Sequence, residues 1–431
     1  MEFTKPKTNR HFAADLDTND QLKNFRNRFY IPQNKIYFDG NSLGLLSKDA
    51  EQSLNRVLDE WKNQAIGGWL NGQRPWFYFA EQIGEMAAKI VGAKPKELIL
   101  TGTTTVNIHS LISTFYQPNG KKTKILADEL NFPSDIYALE GQLKLKGFNP
   151  DEHLILAPSK DGNLLDEQKI VELMTDEVAV VFLPSVLYRS GQLLDMEYLT
   201  NEAHKRDIFI GFDCSHSAGA VPHHFSNWGV DFALFCSYKY LNGGPGCAAF
   251  LYINEKHFDK EPQLPGWFGY KKEKQFDLLI DFEHEKNAGG WQISSPGILG
   301  TSPIEGALNI TLEAGIENIR KKSVHLTSYL ICLIEEMLEN EHYQFKIITP
   351  KNPDQRSGHV AITHSSETYR INEALKARGV VPDFRPPDII RLAPIALYNT
   401  FDEVWQVAHH LKEIVDQKEY LKFSKDKSAI T

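Results

Sequence analysis

The sequence is poor in cysteine, and its few metal-binding residue types do not cluster. Only four cysteines occur among the 431 residues, and three of them lie in or beside apolar runs that we predict to be strands. Buried thiols fit that placement better than disulfides. No cysteine pair has zinc-site spacing, and His223-His224 and His409-His410 lack a companion cysteine or carboxylate pattern. We therefore expect no metal site.

Excess positive charge and long hydrophobic runs are also absent. The formal net charge is −9, from 47 basic and 56 acidic residues, without a dense Lys/Arg cluster. This argues against nucleic acid and anionic membranes as partners. Residues 1–20 are polar and charged, and no apolar run is long enough to span a bilayer. We expect a cytoplasmic protein.

What the sequence does contain is the pattern of an α/β protein. Its hydrophobic content of 42% and charged content of 24% are those of an ordinary globular chain. Short apolar runs alternate with helical patterns, and because the runs are continuous they predict strands buried on both faces of a mostly parallel sheet. The runs are residues 98–100, 125–127, 154–156, 178–182, 208–212 and 248–252.

The length of the chain predicts more than one domain. Residues 303–340 have the periodicity of one or two long helices, and the runs at 345–348 and 359–362 predict strands of a second unit that ends in a helix at 401–417. The predicted division is an N-terminal segment that packs with the small domain (residues 1–54), a large domain (55–305) and a smaller α+β domain (306–431).

A carboxylate and a lysine follow two of the apolar runs. Asp213 closes one run, and Lys239 lies 26 residues later in Ser237-Tyr238-Lys239. Pyridoxal phosphate needs such a pair, because the lysine amine condenses with its aldehyde while the carboxylate keeps the pyridine nitrogen protonated. An Asp at this place is also a common turn residue, and a lone Lys is usually solvated. His216 and the glycines after Lys239 favour the cofactor interpretation.

Two further segments are candidates for cofactor contacts. Gly102-Thr103-Thr104-Thr105 follows a predicted strand and opens a helical pattern, which suits phosphate binding but also plain N-capping. Phe132-Pro133-Ser134-Asp135 also follows a predicted strand. Its aromatic ring could stack on a pyridine and its carboxylate could position the cofactor, although such a tetrapeptide is often a turn with a helix start.

An arginine and a serine motif complete the candidates. Arg391 follows the Arg385-Pro386-Pro387 stretch and could hold a substrate carboxylate through two parallel hydrogen bonds, although most arginines simply lie on the surface. Residues 40–44, Gly-Asn-Ser-Leu-Gly, match the G-x-S-x-G motif of serine hydrolases. That motif requires several preceding strands, which the roughly forty residues before it do not provide.

Taken together, these motifs resemble the kynureninase family, whose members are pyridoxal-phosphate enzymes of fold type I. The resemblance extends from about Ile36 to Phe401 and is carried by the following segments: residues 37–44, 74–76, 105–107, 132–135, 211–216, 238–242 with the glycines after it, 391–394 and 397–399. The motif set is specific, whereas Asp213 and Lys239 alone are shared by all relatives of the fold.

The resemblance implies a role for each candidate. It implies that Lys239 carries the cofactor covalently and, with Tyr238, is catalytic, and that Asp213 pairs with the pyridine nitrogen. It implies cofactor contacts for Thr104, Thr105, Phe132, Pro133, Ser134, Asp135, His216 and Tyr238, and for Trp267 and Ser295 from a neighbouring subunit. It implies substrate contacts for Asn41, Ser42, Trp69 and Arg391.

The resemblance also implies an activity. Members of the family cleave the Cβ–Cγ bond of L-kynurenine with water, giving anthranilate and L-alanine, a step of tryptophan catabolism on the kynurenine pathway that leads to NAD biosynthesis. Trp69 and Ser295 stand where animal members carry histidine and asparagine. This bacterial pattern favours L-kynurenine over 3-hydroxy-L-kynurenine, and homodimers with shared sites are expected.

Two alternatives remain open from the residues alone. A cysteine desulfurase-like lyase of the same fold needs a nucleophilic cysteine on a mobile loop late in the chain. The only cysteine there is Cys332, which we predict to be a buried helical thiol. A non-catalytic binding protein of this fold would not need Lys239, Asp213 and Arg391 together.

Overall fold

The computed structural model describes residues 8–425, and its strands belong to three sheets. The strands of this part of the chain are β1 (Ile36–Tyr37), β2 (Leu98–Thr101), β3 (Lys124–Asp128), β4 (Leu154–Ala157), β5 (Val178–Pro184), β6 (Phe209–Asp213), β7 (Phe232–Cys236), β8 (Ala249–Ile253), β9 (Phe345–Ile347), β10 (Val360–His364), β11 (Val380–Val381), β12 (Asp383–Arg385) and β13 (Ile389–Leu392).

Helices pack against the largest sheet and against the second sheet. The α-helices of the described residues are α1 (Arg10–Thr18), α2 (Lys48–Gln64), α3 (Gly68–Asn71), α4 (Phe79–Val91), α5 (Thr104–Phe115), α6 (Pro133–Leu145), α7 (Pro150–His153), α8 (Glu167–Glu172), α9 (Met196–His204), α10 (Phe225–Trp228), α11 (Ile298–Thr301), α12 (Pro303–Ala314), α13 (Ile316–Met337), α14 (Thr368–Ala377) and α15 (Phe401–Asp416).

The largest sheet has the order β2-β8-β7-β6-β5-β3-β4. All its strands run in one direction except β8, which is antiparallel to both β2 and β7. Strands β5, β7 and β8 are buried along their whole length, as the continuous apolar runs predicted. This confirms a mostly parallel α/β sheet. Strand β7 was not predicted, although residues 232–236 are as apolar as the runs that form the neighbouring strands.

Because these strands run in one direction, the loops that follow them meet at one edge of the sheet. The segments after β2, β3, β5, β6 and β7 contain Thr104, Phe132, Tyr188, His216 and Lys239 respectively. In open α/β sheets this carboxyl-terminal edge is where ligands bind. The topology therefore brings together the candidate residues of the large domain.

A second sheet, with the order β12-β13-β10-β9, is antiparallel throughout. Helices α13, α14 and α15 pack on it around a second apolar core. Residues 303–340, predicted to form one or two long helices, form two, because Gly315 has a φ of +77° between α12 and α13. This is the predicted α+β unit.

The N-terminal part of the chain packs against this second unit. Ala13 of α1 and Phe38 belong to its core, Arg10 Nε donates to Asp402 Oδ1 of α15 at 2.7 Å, and β1 pairs in parallel with β11. The domain limits at residues 54 and 305 stay a prediction, and residues 1–7 and 426–431 of the outer two segments lie outside the described residues.

None of the helices between residues 8 and 425 has the length and apolar character needed to cross a membrane. The longest, α13, mixes charged side chains such as Arg320, Lys321 and Lys322 with its apolar ones. Its buried positions instead face the small domain and α15.

Candidate active site

A cavity of about 250 Å³ lies at the carboxyl-terminal edge of the large sheet, where the small domain covers it. Side chains from both domains and from the N-terminal segment contribute to its wall. The lining residues are Asn41, Ser42, Thr104, Thr105, Asn131, Phe132, Ser134, Asp135, Pro184, Val186, Tyr188, Asp213, Ser215, His216, Tyr238, Lys239, Arg385 and Arg391.

Lys239 points its amine into this cavity beside a histidine. Its Nζ lies 3.0 Å from His216 Nε2, while His216 Nδ1 is buried without a hydrogen-bond partner. Burial, and then the positive charge of Lys239, lower the pKa of His216 well below its usual value. His216 is therefore neutral at physiological pH, and its ring is available for contact with an aromatic ligand.

Two buried carboxylates, Asp135 and Asp213, face the same space. Burial raises the pKa of both, and the proximity of Asp213 raises that of Asp135 further. Ser215 N donates to Asp213 Oδ1 at 2.7 Å, and Lys239 also favours the ionised form of Asp213. Both oxygens of Asp135 are buried without a partner. We infer that the negative charge of the pair resides on Asp213: Lys239 favours the ionised form of both carboxyls, but only Asp213 also accepts a hydrogen bond from Ser215.

Two helix N-termini converge on the other end of the cavity. Thr104 and Thr105 begin α5, and Ser134 and Asp135 lie in the first turn of α6. The hydroxyls of Thr105 and Ser134 are 2.6 Å apart. Unpaired backbone N–H groups and the helix dipoles make such ends favourable for an anion. This end of the cavity is suited to a phosphate.

The wall opposite the large sheet presents Arg391 from β13. This arginine is almost fully buried, and its Nη1 donates to the carbonyl oxygen of Tyr188 at 2.7 Å. Its Nη2 donates to Ser42 Oγ at 2.9 Å, whereas its Nε has no partner. Both polar side-chain atoms of Asn41 are likewise buried and unpartnered. Polar groups left unsatisfied in a cavity are those that a ligand can satisfy.

The G-x-S-x-G motif is explained by packing. Gly44 N donates to Tyr238 O at 2.7 Å, and a Cβ on Gly44 would lie 2.4 Å from Lys239 O. A Cβ on Gly40 would lie 2.1 Å from the hydroxyl of Tyr398. Both glycines thus allow the turn that carries Ser42 to approach the lysine loop and the small domain closely.

Four predicted site residues lie outside the cavity of their own chain. Pro133 is the first residue of α6, between the lining residues Phe132 and Ser134. Trp69, Trp267 and Ser295 lie on a separate surface, where the rings of Trp69 and Trp267 both contact Phe268. The sequence predicts that Trp69 lines the substrate pocket, but within one chain Trp69 does not line the cavity.

The cavity also contains residues that the sequence did not single out for it: Asn131, Pro184, Val186, Tyr188, Ser215 and Arg385. Most of them directly follow or end a parallel strand, which is a signal that could have identified them. Tyr188 stands edge-on to Phe132, with ring centroids 5.3 Å apart. Arg385 was noted only as a neighbour of Arg391.

The residues present fit pyridoxal phosphate. Asp213 is a buried carboxylate of the kind that pairs with a pyridinium nitrogen, His216 and Phe132 offer rings, and Lys239 offers the amine. The convergent N-termini of α5 and α6 offer the phosphate site.

The fold is similar to that of solved pyridoxal-phosphate enzymes. A cysteine desulfurase from Thermococcus onnurineus matches with a TM-score of 0.75 at 18% identity, covering 94% of this chain and 98% of that one. A C-DES mutant with glycine covalently linked to its PLP cofactor matches with a TM-score of 0.77 at 16% identity, covering 90% and 98%. The fold and site define a fold-type I pyridoxal-phosphate-dependent enzyme.

Sequence relatives identify the family. A profile described as the kynureninase C-terminal domain matches residues 319–411. The kynureninase of Geobacillus thermodenitrificans is 54% identical over 430 residues, covering 100% of both chains. That of Shouchella clausii is 54% identical over 421 residues, covering 98% of each. The chain belongs to the kynureninase family.

The structure corrects one detail of the desulfurase alternative. Cys332 lies on α13, as predicted, but it is partly exposed rather than buried, because its helix position is at the margin of the small-domain core. It is not among the residues that line the cavity. A thiol on a rigid helix outside the cavity does not supply the nucleophile that a desulfurase needs.

Proposed function

We propose that this enzyme hydrolyses the Cβ–Cγ bond of L-kynurenine, giving anthranilate and L-alanine. The observation that carries the proposal is a single cavity that joins Lys239 and Asp213 of the large domain to Arg391 of the small domain. Such a cavity can hold the cofactor at one end and bind an α-carboxylate through the guanidinium of Arg391. The family membership of the whole chain supports the same substrate.

Each residue has a proposed part in the reaction. The cofactor, when bound, supplies an electron sink for negative charge at substrate carbons. Lys239 would hold it covalently and, when released, would take the substrate α-proton on Nζ. Asp213 would keep the pyridine nitrogen protonated, while Arg391 would hold the substrate carboxylate and thereby orient the α-hydrogen toward Lys239.

Tyr238 is the proposed proton donor or relay. Burial raises the pKa of its hydroxyl above the usual value, so the hydroxyl remains protonated at neutral pH. It lines the cavity directly beside Lys239. Water attacks the γ-ketone, the Cβ–Cγ bond breaks, and the carbon left on the alanine side takes up a proton.

The direct assay uses purified protein with added pyridoxal phosphate. Incubation with L-kynurenine should release fluorescent anthranilate, and incubation with L-cysteine should release no sulfide above background. Sulfide release without anthranilate would instead favour the desulfurase-like alternative. Anthranilate formation at the rate of protein-free controls would reject the proposed activity.

We propose that the protein is a homodimer whose subunits share their active sites. The surface that carries Trp69, Trp267 and Ser295 includes an apolar groove, lined by Val57, Trp61, Trp69, Trp76 and residues 296–300. Trp61 is 56% exposed and the nearby Ile66 is 82% exposed. A contiguous apolar surface of this kind is typical of a subunit interface. A second copy there would bring Trp267 and Ser295 to the cofactor phosphate of its partner.

Subunit complementation tests this arrangement. Lys239→Ala and Trp267→Ala proteins should each be nearly inactive alone. After the subunits are exchanged in equal amounts, activity should rise toward about a quarter of the parent value, because half the dimers are hybrids with one intact site. If both residues belong to one chain's site, the mixture stays as inactive as its components.

A cytoplasmic location is part of the proposal. Cys214, Cys236 and Cys247 are buried thiols, as expected for a reducing compartment.

Ring preference is the third proposed property. If Trp69 presents its apolar face to the substrate ring of the partner's site, a 3-hydroxyl buried there without a partner costs ~1–3 kcal/mol. The ratio of kcat/KM for L-kynurenine to that for 3-hydroxy-L-kynurenine should then be roughly ten to a hundred. Trp69→His, alone or with Ser295→Asn, should reduce the ratio.

The control for ring preference is Trp405→His, the same exchange on α15 of the small domain. It should leave the ratio unchanged. A parent ratio near or below one would show that Trp69 and Ser295 do not set the preference.

A further inference from the structure

Asp383 is a buried carboxylate that contacts both arginines of the cavity without lining the cavity itself. Its Oδ2 contacts Arg391 Nη2, lies 3.1 Å from Arg385 Nε, and accepts a hydrogen bond from Ser42 Oγ at 3.2 Å. Arg385, Arg391 and Ser42 all line the cavity, but Asp383 does not. One carboxylate oxygen therefore joins three cavity residues without facing the ligand space itself.

The register of the small sheet produces this arrangement. Asp383 on β12 is the direct cross-strand partner of Arg391 on β13, so the two side chains lie on the same face of the sheet. Arg385 is two residues further along β12 and shares that face. The three charged side chains are thus fixed together by backbone pairing rather than by a flexible loop.

The donors of Arg391 are divided between the protein and the cavity. Nη2 is held by Asp383 and Ser42, and one N–H of Nη1 is held by the Tyr188 carbonyl. Nε has no partner, although it is buried. A guanidinium has five N–H groups, so two remain for a ligand. Asp383 therefore helps to occupy Nη2, and it leaves the Nε–H and one Nη1–H, which point from different edges of the guanidinium, as the donors open to a ligand.

Asp383 also places a negative charge beside the two positively charged side chains of Arg385 and Arg391. Burial lowers the pKa of Arg391 to about 10, and burial lowers that of Arg385 as well. A buried guanidinium without a counterion is strongly unfavourable. The other acidic side chain here, Asp39, also raises the pKa of both arginines through its charge, but its Oδ1 is buried without a hydrogen-bond partner.

We propose that Asp383 is a positioning residue for substrate recognition: it orients Arg391, with Arg385 alongside, so that the unpaired N–H donors of the Arg391 guanidinium face the α-carboxylate. The inference rests on the proposed function insofar as Arg391 is the carboxylate-binding residue. It adds that recognition depends on a carboxylate that never touches the substrate.

The test combines steady-state kinetics with a double-mutant cycle on the holoenzyme. Asp383→Asn should raise KM for L-kynurenine roughly tenfold to a hundredfold, the range expected when a charged hydrogen bond to a buried group is lost. The kcat should change less than about threefold, because the bound substrate carboxylate then helps to hold the arginine. The matched control is Asp388→Asn on the same hairpin, where the carboxylate is exposed, and its KM should be that of the parent.

The cycle separates positioning from an independent structural role. If Asp383 acts through Arg391, the Asp383→Asn/Arg391→Lys double variant should have a KM within about threefold of Arg391→Lys alone. If the increase in KM of the double variant equals the product of the two single increases, the proposal is overturned. A parent-like or lower KM for Asp383→Asn would also overturn it. If Asp383→Asn yields no folded holoenzyme, Asp383→Glu replaces it. That variant keeps the charge but shifts the oxygens, and a parent-like KM for it would contradict positioning.

A binding measurement makes the inference independent of kynurenine cleavage. The cofactor absorbance of the holoenzyme is titrated with L-alanine and with ethylamine, which lacks the carboxylate. Asp383→Asn should weaken L-alanine binding roughly tenfold or more and leave ethylamine binding unchanged. Equal weakening of both ligands, or of neither, would overturn the role of Asp383. A parent that binds L-alanine but does not cleave L-kynurenine would instead reject only the proposed function.

Discussion

Lys239→Ala should abolish covalent cofactor attachment and lower kcat by at least ~10²- to 10⁴-fold, the range for loss of a positioned acid–base group. The physical reason is that Lys239 has two proposed roles, as the amine that binds the cofactor and as the base that takes the α-proton. Its Nζ lies next to His216 in the cavity that also holds Asp213. Borohydride treatment of the holoenzyme followed by peptide mass mapping should find the reduced adduct on Lys239 in the parent and no adduct in the variant.

Lys144→Ala is the matched control for that experiment. Lys144 is an exposed residue of α6, whose N-terminus faces the same cavity. Its removal should leave the adduct and the activity intact. A reduced adduct on another lysine of the Lys239→Ala protein would show that the cofactor site has been assigned wrongly.

Arg391→Lys should weaken substrate binding by ~1.5–3 kcal/mol, or roughly tenfold to a hundredfold in KM, because an ammonium group cannot reproduce the fixed, planar N–H donors of a guanidinium. The cofactor should bind as in the parent, since Arg391 belongs to the small-domain wall and the phosphate end is formed by α5 and α6. Titration of the apoprotein with pyridoxal phosphate and steady-state kinetics with L-kynurenine separate the two effects. Unchanged kinetics would remove Arg391 from the substrate site.

Residues after parallel strands were predictable from the sequence. Asp213 closes β6 and Lys239 follows β7, and the rule that such loops share one edge of a sheet places their side chains together without knowledge of the fold in detail. Thr104 and Asp135 were predictable for the same reason, combined with the helix starts that follow them. The strand β7 itself was missed, although its apolar run was as clear as the others.

Residues that depend on register between distant segments were not predictable. Asp383 meets Arg391 because β12 and β13 pair with one particular offset, and nothing in the residues 383–391 fixes that offset. The buried Arg391 also interrupts the apolar run of its strand, so it was recognised through its motif and not as part of a core strand. Ser42 reaches the same cluster from a segment more than 340 residues away along the chain.

The roles proposed for Trp69, Trp267 and Ser295 require a second subunit. A single subunit places them on its own surface beside an apolar groove. In the proposed dimer they would reach a cofactor only through subunit contact, which neither composition nor periodicity encodes. For these residues the family resemblance gave a role that the geometry of one subunit does not supply.

Product analysis in ¹⁸O-labelled water is the most direct test of hydrolytic cleavage between Cβ and Cγ. The purified holoenzyme is supplied with L-kynurenine in such water, and both products are quantified by mass spectrometry. We expect equal amounts of anthranilate and L-alanine, with solvent oxygen in the anthranilate carboxylate and none in the alanine carboxylate. Anthranilate without solvent oxygen, or substrate consumed without either product, would contradict it.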